Sequence, residues 1–236
     1  WGGEFLIATY RDFERALHLG YVPLPGGDAA IRRPYRTALS WLRAAGLPWA
    51  GDLAPVSAAA ENELAVLDAQ LAQGLNAPPT SSMGRLFDAV AALAGLAPRI
   101  SYEGQAACEL EAAAEVSERG AYPFAVGAET IDAAPMLRAL VEDLRRGTAL
   151  GVLSARFHNG AAAMVVEACR RLRRTTGVDC VALSGGVWQN LLLLERAVEG
   201  LEAAGFRVLV HRQVPANDGG IALGQAAVAA ARSRKE

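Results

Sequence analysis

Two glycine pairs, each following a short apolar run, dictate how the last third of this chain can fold. Residues 178–183 are apolar and β-rich, Ser184-Gly185-Gly186-Val187-Trp188-Gln189-Asn190 follows, and residues 191–204 repeat Leu and Ala at helical spacing before Gly205. Residues 206–211 read as a second strand, and a polar loop carrying Asn217-Asp218-Gly219-Gly220 leads into an Ala-rich helix over 221–231. This alternation belongs to a parallel α/β unit, so both pairs are expected at the carboxyl ends of neighbouring parallel strands.

That position suits an anion. A helix amino-terminus offers unpaired N–H groups and the positive end of the helix dipole, and glycine lets a phosphate approach the backbone without a Cβ in the way. Open α/β sheets bind ligands in such a crevice. The alternative for either pair is simple chain reversal; two pairs with an Asn and an Asp between them read better as two halves of one nucleotide site.

With 236 residues, 52% hydrophobic and 20% charged, the chain can bury a sizeable core as one large domain or two lobes. A net charge of -2 and a pI near 6.0 give no support for a nucleic-acid surface. Arg170, Arg171, Arg173 and Arg174 are read as cations at a helix carboxyl end. Cys108, Cys169 and Cys180 have neither metal nor redox spacing and sit among apolar neighbours, which predicts buried free thiols in a reducing compartment. No apolar run approaches the roughly 20 residues of a membrane helix, and no leader is visible, so a cytoplasmic protein without membrane partners is expected. The first residues, Trp1-Gly-Gly-Glu-Phe, read as a strand already under way, as in a piece of a longer polypeptide.

Between these ends, residues 18–25 read as a partner strand closed by a turn at Pro25-Gly26-Gly27-Asp28. Helices are predicted over 35–45, over 58–73 with Leu64, Leu67 and Leu71 on one face, and over 84–93 behind a Pro-Pro-Thr-Ser-Ser linker. In the last of these the Leu86, Val90 and Leu93 stripe turns Asp88 to the opposite, solvated face. A turn at 100–105 leads into a helix over 106–114, one or two short strands fall within 120–132, and helices follow over 135–146 and 154–174.

His18, His158 and His211 form no metal-binding spacing. His158 reads as a helix-surface or capped histidine, His211 as structural or functional alike, and Ser154 and Ser184 as backbone caps instead of nucleophiles. Group transfer by such a chain would work by holding an activated substrate against an incoming nucleophile.

Six ordered motifs then become recognisable: Trp1-Gly-Gly-Glu-Phe, Pro23-Leu-Pro-Gly-Gly-Asp-Ala-Ala-Ile, Thr80-Ser-Ser-Met-Gly-Arg-Leu-Phe-Asp-Ala-Val, Ile100-Ser-Tyr-Glu-Gly-Gln-Ala-Ala, Leu183-Ser-Gly-Gly-Val-Trp-Gln-Asn and Val214-Pro-Ala-Asn-Asp-Gly-Gly-Ile-Ala-Leu-Gly-Gln. Together they span nearly the whole chain and closely resemble the carboxyl-terminal part of the HypF family, carbamoyltransferases that mature nickel–iron hydrogenases. The resemblance extends to TsaD-type proteins and implies an α/β, actin/Hsp70/sugar-kinase-like fold. It would consist mostly of the carboxyl-terminal lobe: residues 1–33 as strands remaining from the first lobe, and 34–236 as a nucleotide-binding lobe with a helical insertion.

It implies a reaction as well. A carbamoyl-adenylate made from carbamoyl phosphate and ATP gives its carbamoyl group to the carboxyl-terminal cysteine of the partner HypE. Asp88 and Gly104 match family positions that contact or border nucleotide, Asn190 matches the Asn ending the Gly-Gly-Val motif, Gly185 and Gly186 fit the phosphate cradle, and Asp218 matches a metal-binding Asp. The metal, iron or zinc, would be held in the full-length protein. Family members carry acylphosphatase-like, zinc-finger and YrdC-like domains and a His-rich metal motif upstream; the 236 residues contain none, so the chain is expected to be inactive alone. The alternatives are an O-carbamoyltransferase of secondary metabolism and a non-catalytic nucleotide-binding or partner-docking module.

Overall fold

The structure, a computed structural model, describes residues 1–233. In chain order its elements are β1 (Glu4–Ala8), β2 (Phe13–Leu19), β3 (Val22–Pro23), α1 (Asp28–Arg32), α2 (Pro34–Ala44), α3 (Ala54–Ala58), α4 (Glu61–Gln73), β4 (Pro79–Thr80), α5 (Met83–Leu93) and α6 (Gln105–Ala112). These are followed by β5 (Ala125–Val126), β6 (Thr130–Asp132), α7 (Ala134–Arg145), α8 (Leu150–Thr176), β7 (Cys180–Leu183), α9 (Leu191–Ala203), β8 (Arg207–Val210) and α10 (Ile221–Ser233). Single 3-10 turns at Gly186–Gln189 and Asp218–Gly220 precede α9 and α10.

The expected strand, glycine turn, helix alternation is present, and β7 and β8 pair in parallel from Cys180 opposite Arg207 to Leu183 opposite Val210. A second, four-stranded sheet has the order β1-β2-β6-β5, with β1 antiparallel to β2 and β2 parallel to β6 at His18 and Thr130. Leu17 and Leu19 carry β2 into the common core, so residues 1–33 share both sheet and core with the later chain. The opening motif is locked onto the residue 80–83 motif: Met83 N–H donates to Gly2 O at 3.2 Å, and a Cβ on Gly3 would run into the Ser81 carbonyl. Glu4 is drawn into that junction. Burial works to raise its pKa, but hydrogen bonds from Ser81, Gly2, Arg15 and Gly3 outweigh it and hold the carboxyl below its ordinary value.

Two long helices organise the core. α8 has 27 residues, about 40 Å of axis, and α5 is buried from Leu86 to Leu93, Asp88 included. Phe87 of α5 meets Phe157 of α8 edge to face at 4.7 Å between centroids. Beyond it, Gly160 lets α8 touch the backbone of residues 118–122. A Cβ there would collide with the Tyr122 carbonyl oxygen and stand 3.0 Å from Tyr122 N. Around that crossing Tyr122 N–H donates to Arg156 O at 3.0 Å, Asn159 Nδ2 to Gly120 O at 2.9 Å, and Asp143 accepts from both the Tyr122 hydroxyl and Arg156.

Several local expectations are corrected. The helix foreseen over 58–73 divides into α3 and α4 because Ala59 and Ala60 are extended, with ψ of 144° and 150°. The partner strand begins at Phe13, well before residue 18; Val22–Pro23 instead pairs with Pro79–Thr80, which looked like linker. Cys108 is exposed and Cys180 half-buried, leaving Cys169 as the buried thiol, its pKa pushed up to about 11 by burial. Asp88 and His158 are both buried where solvated faces were expected. Neighbouring elements cover the face of α5 that carries Asp88, and the ring of His158 points at the start of α9.

Candidate functional site

The glycine turn and the second glycine pair come together as two halves of one feature. Gly185 sits at φ +107° and ψ 158°, a conformation essentially reserved for glycine, and its N–H donates to Ala216 O at 2.8 Å. Asn217 Nδ2 donates to Gln189 Oε1 at 3.2 Å, and Ser184 Oγ lies 3.0 Å from His211 Nε2. Between them runs a cleft of about 190 Å³ lined by Trp188, Gln189, His211, Val214 and Ala216. Ser184 therefore faces a histidine across the strand ends instead of capping backbone.

The helix ends differ from the sequence expectation. At α9 the Leu193 N–H donates to Asn190 Oδ1 at 2.8 Å and the Leu192 N–H to Glu111 Oε1 at 3.1 Å, so the chain's own acceptors, one a carboxylate, occupy this end. In the second pair the Gly219 N–H donates to Asn217 Oδ1 and the Gly220 N–H to Asn217 O, each at 3.0 Å. Asn217, not Asp218, is the cap. A Cβ on either glycine would stand 2.8 Å from Pro215, so this pair serves a crowded chain reversal. The 3-10 turn Gly186–Gln189 is different: its first hydrogen bond is Trp188 N–H to Gly185 O at 3.1 Å, and among the described residues the Gly186 and Val187 N–H groups ahead of it have no acceptor.

α5 reaches this turn at its amino end, where the Gly84 backbone approaches Val187. One helical turn on, Asp88 is 1% exposed with Arg85 Nη1 2.8 Å from its carboxylate. That contact is not aligned as a hydrogen bond, and among the described residues neither carboxylate oxygen has a hydrogen-bond partner. Burial pushes the Asp88 carboxyl up to about 6; Arg85 opposes the rise and Glu103 adds to it. Gly104, next to Glu103, holds φ +82° at the start of α6 with open space around its Cβ position. A desolvated, unsatisfied carboxylate in a well-packed protein is a functional-site signature.

Asn190 is 8% exposed, and its side chain is engaged twice. Besides capping α9 it bonds to His158, Nδ2 to Nε2 at 2.9 Å, while His158 Nδ1 donates to Ser154 O at 2.8 Å. His158 had no signal in sequence beyond its helical position; its partner lies 32 residues away. Asn190→Ala removes the cap and strands the His158 nitrogen, and is expected to cost about 2 kcal/mol in a urea titration. A loss below about 0.5 kcal/mol would show that water replaces both bonds.

Asp218 is exposed, and among the described residues no three His, Cys, Asp or Glu side chains converge as metal ligands. By themselves the described residues do not fit a metal ion, and Asp218 belongs to no ligand cluster among them. No helix among the described residues is long and apolar enough to cross a membrane.

Residues 1–225 match the family model described as "Carbamoyltransferase, Kae1-like Domain, second subdomain". The chain is 45% identical to carbamoyltransferase HypF of Rhodobacter capsulatus over 98% of its own length and 30% of the relative's. It is 38% identical to carbamoyltransferase HypF of Rhizobium leguminosarum over 97% of its length and 30% of that protein. Among solved structures, full-length HypF in the phosphate- and nucleotide-bound form matches with a TM-score of 0.93 and 38% identity, over 100% of this chain and 31% of that one. HypF of T. kodakarensis matches at 0.83 and 30% identity, over 97% of this chain and 32% of its own. The chain thus spans about 30% of the length of the curated HypF proteins named here.

Proposed function

Because the chain belongs to the HypF family of carbamoyltransferases, as the second subdomain of their Kae1-like domain, we propose that it forms one wall of a nucleotide site at which a carbamoyl group is transferred. Its α/β fold is the actin/Hsp70/sugar-kinase-like fold of that domain. The observation that carries the reading is the buried, unsatisfied Asp88 carboxylate on the helix that touches the open end of the glycine turn. A carboxylate suits ribose hydroxyls, and the Gly186 and Val187 N–H groups suit a phosphate. The nucleotide in the solved HypF structure supports a ligand of this class.

The finer reading is a carbamoyl-adenylate as donor, made from ATP and carbamoyl phosphate by the portions of HypF proteins this chain does not span. The acceptor is the carboxyl-terminal cysteine of HypE, within the maturation of nickel–iron hydrogenases. The thiolate attacks the carbamoyl carbon, a C–S bond forms, the C–O bond to phosphate breaks, and AMP departs with the electron pair. Charge grows on the leaving phosphate, so backbone N–H groups fixed at the turn favour departure by stabilising it in place.

The test replaces the matching third of the Rhodobacter capsulatus protein with this chain and supplies carbamoyl phosphate, ATP and HypE. Mass spectrometry should then show a carbamoylated terminal cysteine with the chimera and none with the isolated chain. A folded chimera without transfer overturns the reading, and turnover by the 236 residues alone overturns the part given to the remaining two thirds of the chimera.

A further inference from the structure

The protonation state of the His158–Asn190 contact follows from its neighbours. His158 Nδ1 faces the Ser154 carbonyl, which can only accept, so Nδ1 carries the proton and Nε2 presents a lone pair. Asn190 must then turn its amide nitrogen towards the ring and its oxygen towards the Leu193 N–H; the flipped amide would set donor against donor at Leu193. The ring is fully buried, edge-on to Phe87 at 5.4 Å and to Phe157 at 5.8 Å between centroids, and cannot swing away. Asn190 is also the residue that ends the Gly186–Gln189 turn.

We propose that His158 is a positioning residue for the glycine turn: it holds the Asn190 side chain and thereby fixes where the Gly185-Gly186 segment leaves the sheet. Only the identity of the ligand at that turn rests on the function proposed above. A protonated ring would carry a second N–H into the Asn190 amide, so the lock works with neutral His158. The surroundings favour that form. Burial lowers the His158 pKa, against the hydrogen bond to Ser154 and the charge of Glu111, which α6 brings to this corner. From α5 the ring meets Phe87, and from α9 the neutral Asn190.

Nitrogen-15 NMR of the unligated chain reads this directly. Wild type should show His158 as the Nδ1–H tautomer near neutral pH, with the Asn190 side-chain amide and the Gly185 and Gly186 signals shifting together as the ring titrates on the acid side. His158→Gln can accept from Asn190 and donate to Ser154; it should keep the neutral-pH glycine signals and remove their acid dependence. His158→Leu should displace them at every pH. With ADP as probe, wild type should bind about three- to tenfold more weakly once the ring is protonated, the size of one lost hydrogen bond, and His158→Gln should show no such step. Glycine signals indifferent to the titration, or a proton on Nε2, would overturn the proposal; if His158→Leu fails to fold, the wild-type titration and the Gln variant still decide it. ADP binding to none of the proteins, with the NMR behaviour as described, would uphold the lock and remove the nucleotide reading alone.

Discussion

Asp88→Asn is expected to make the fold more stable and the proposed transfer slower. The Asp88 carboxyl is raised from 3.8 to about 6 in the folded protein. Between those values the folded state therefore holds more protons than the unfolded chain, and stability falls as pH rises through that window. At pH 7 the penalty is complete. About two pKa units correspond to up to roughly 3 kcal/mol, and leaving Arg85 beside an amide returns part of it, so a net gain of about 1–2 kcal/mol is expected. Urea titrations at pH 7 should show the variant above wild type, and at pH 4 the two should converge. In the chimera the same change should cut carbamoyl transfer by a factor of about ten or more, the loss of a charge-assisted hydrogen bond. A variant that is less stable at pH 7 would make the Arg85 contact structural and remove the main support for the site.

Gly160→Ala is expected to be among the most damaging single-methyl additions in this chain. On helix propensity alone the change would favour α8 by about 1 kcal/mol. The added carbon, however, meets the carbonyl and amide of Tyr122, which are main chain and held by hydrogen bonds to α8 itself, so no side chain can rotate out of the way. An overpacking cost of about 3 kcal/mol should dominate, lowering Tm by about 6–12 °C for a chain of this size. Gly224→Ala is the control: among the described residues nothing lies within 4 Å of its Cβ position in α10, and it should leave stability unchanged or raise it slightly. Equal Tm values for the two variants would mean that the residue 118–122 segment shifts freely.

What sequence could show here was local. The β7, turn, α9, β8 order was legible because apolar runs, Gly205 and the two glycine pairs announce themselves within a few residues of one another. Asp88, Gly104 and Asn190 were singled out by resemblance, and their surroundings were not legible at all. Helical periodicity gave Asp88 a solvent face because it counts only neighbours on α5, whereas other elements cover that face. The two-residue strands β3 and β4 carry no period, and Gly27 opens α1 at φ +54° over only five residues, too few for a repeat. His158 and Glu111 reach Asn190 and Leu192 across 32 and 81 residues, and no reading of either segment by itself connects them.

The Glu111 contact bears on how the chain responds to its medium. A carboxylate tethered on α6 stands at the Leu192 N–H at an effective concentration that dissolved ions do not match. Raising phosphate or sulfate in the buffer therefore leaves α9 as it is, and any titration by small anions should saturate as one site, at Gly186 and Val187, instead of two. For the proposed nucleotide the consequence is a sorting of its phosphates: the turn would take one, and a second directed at α9 would meet the like charge of Glu111.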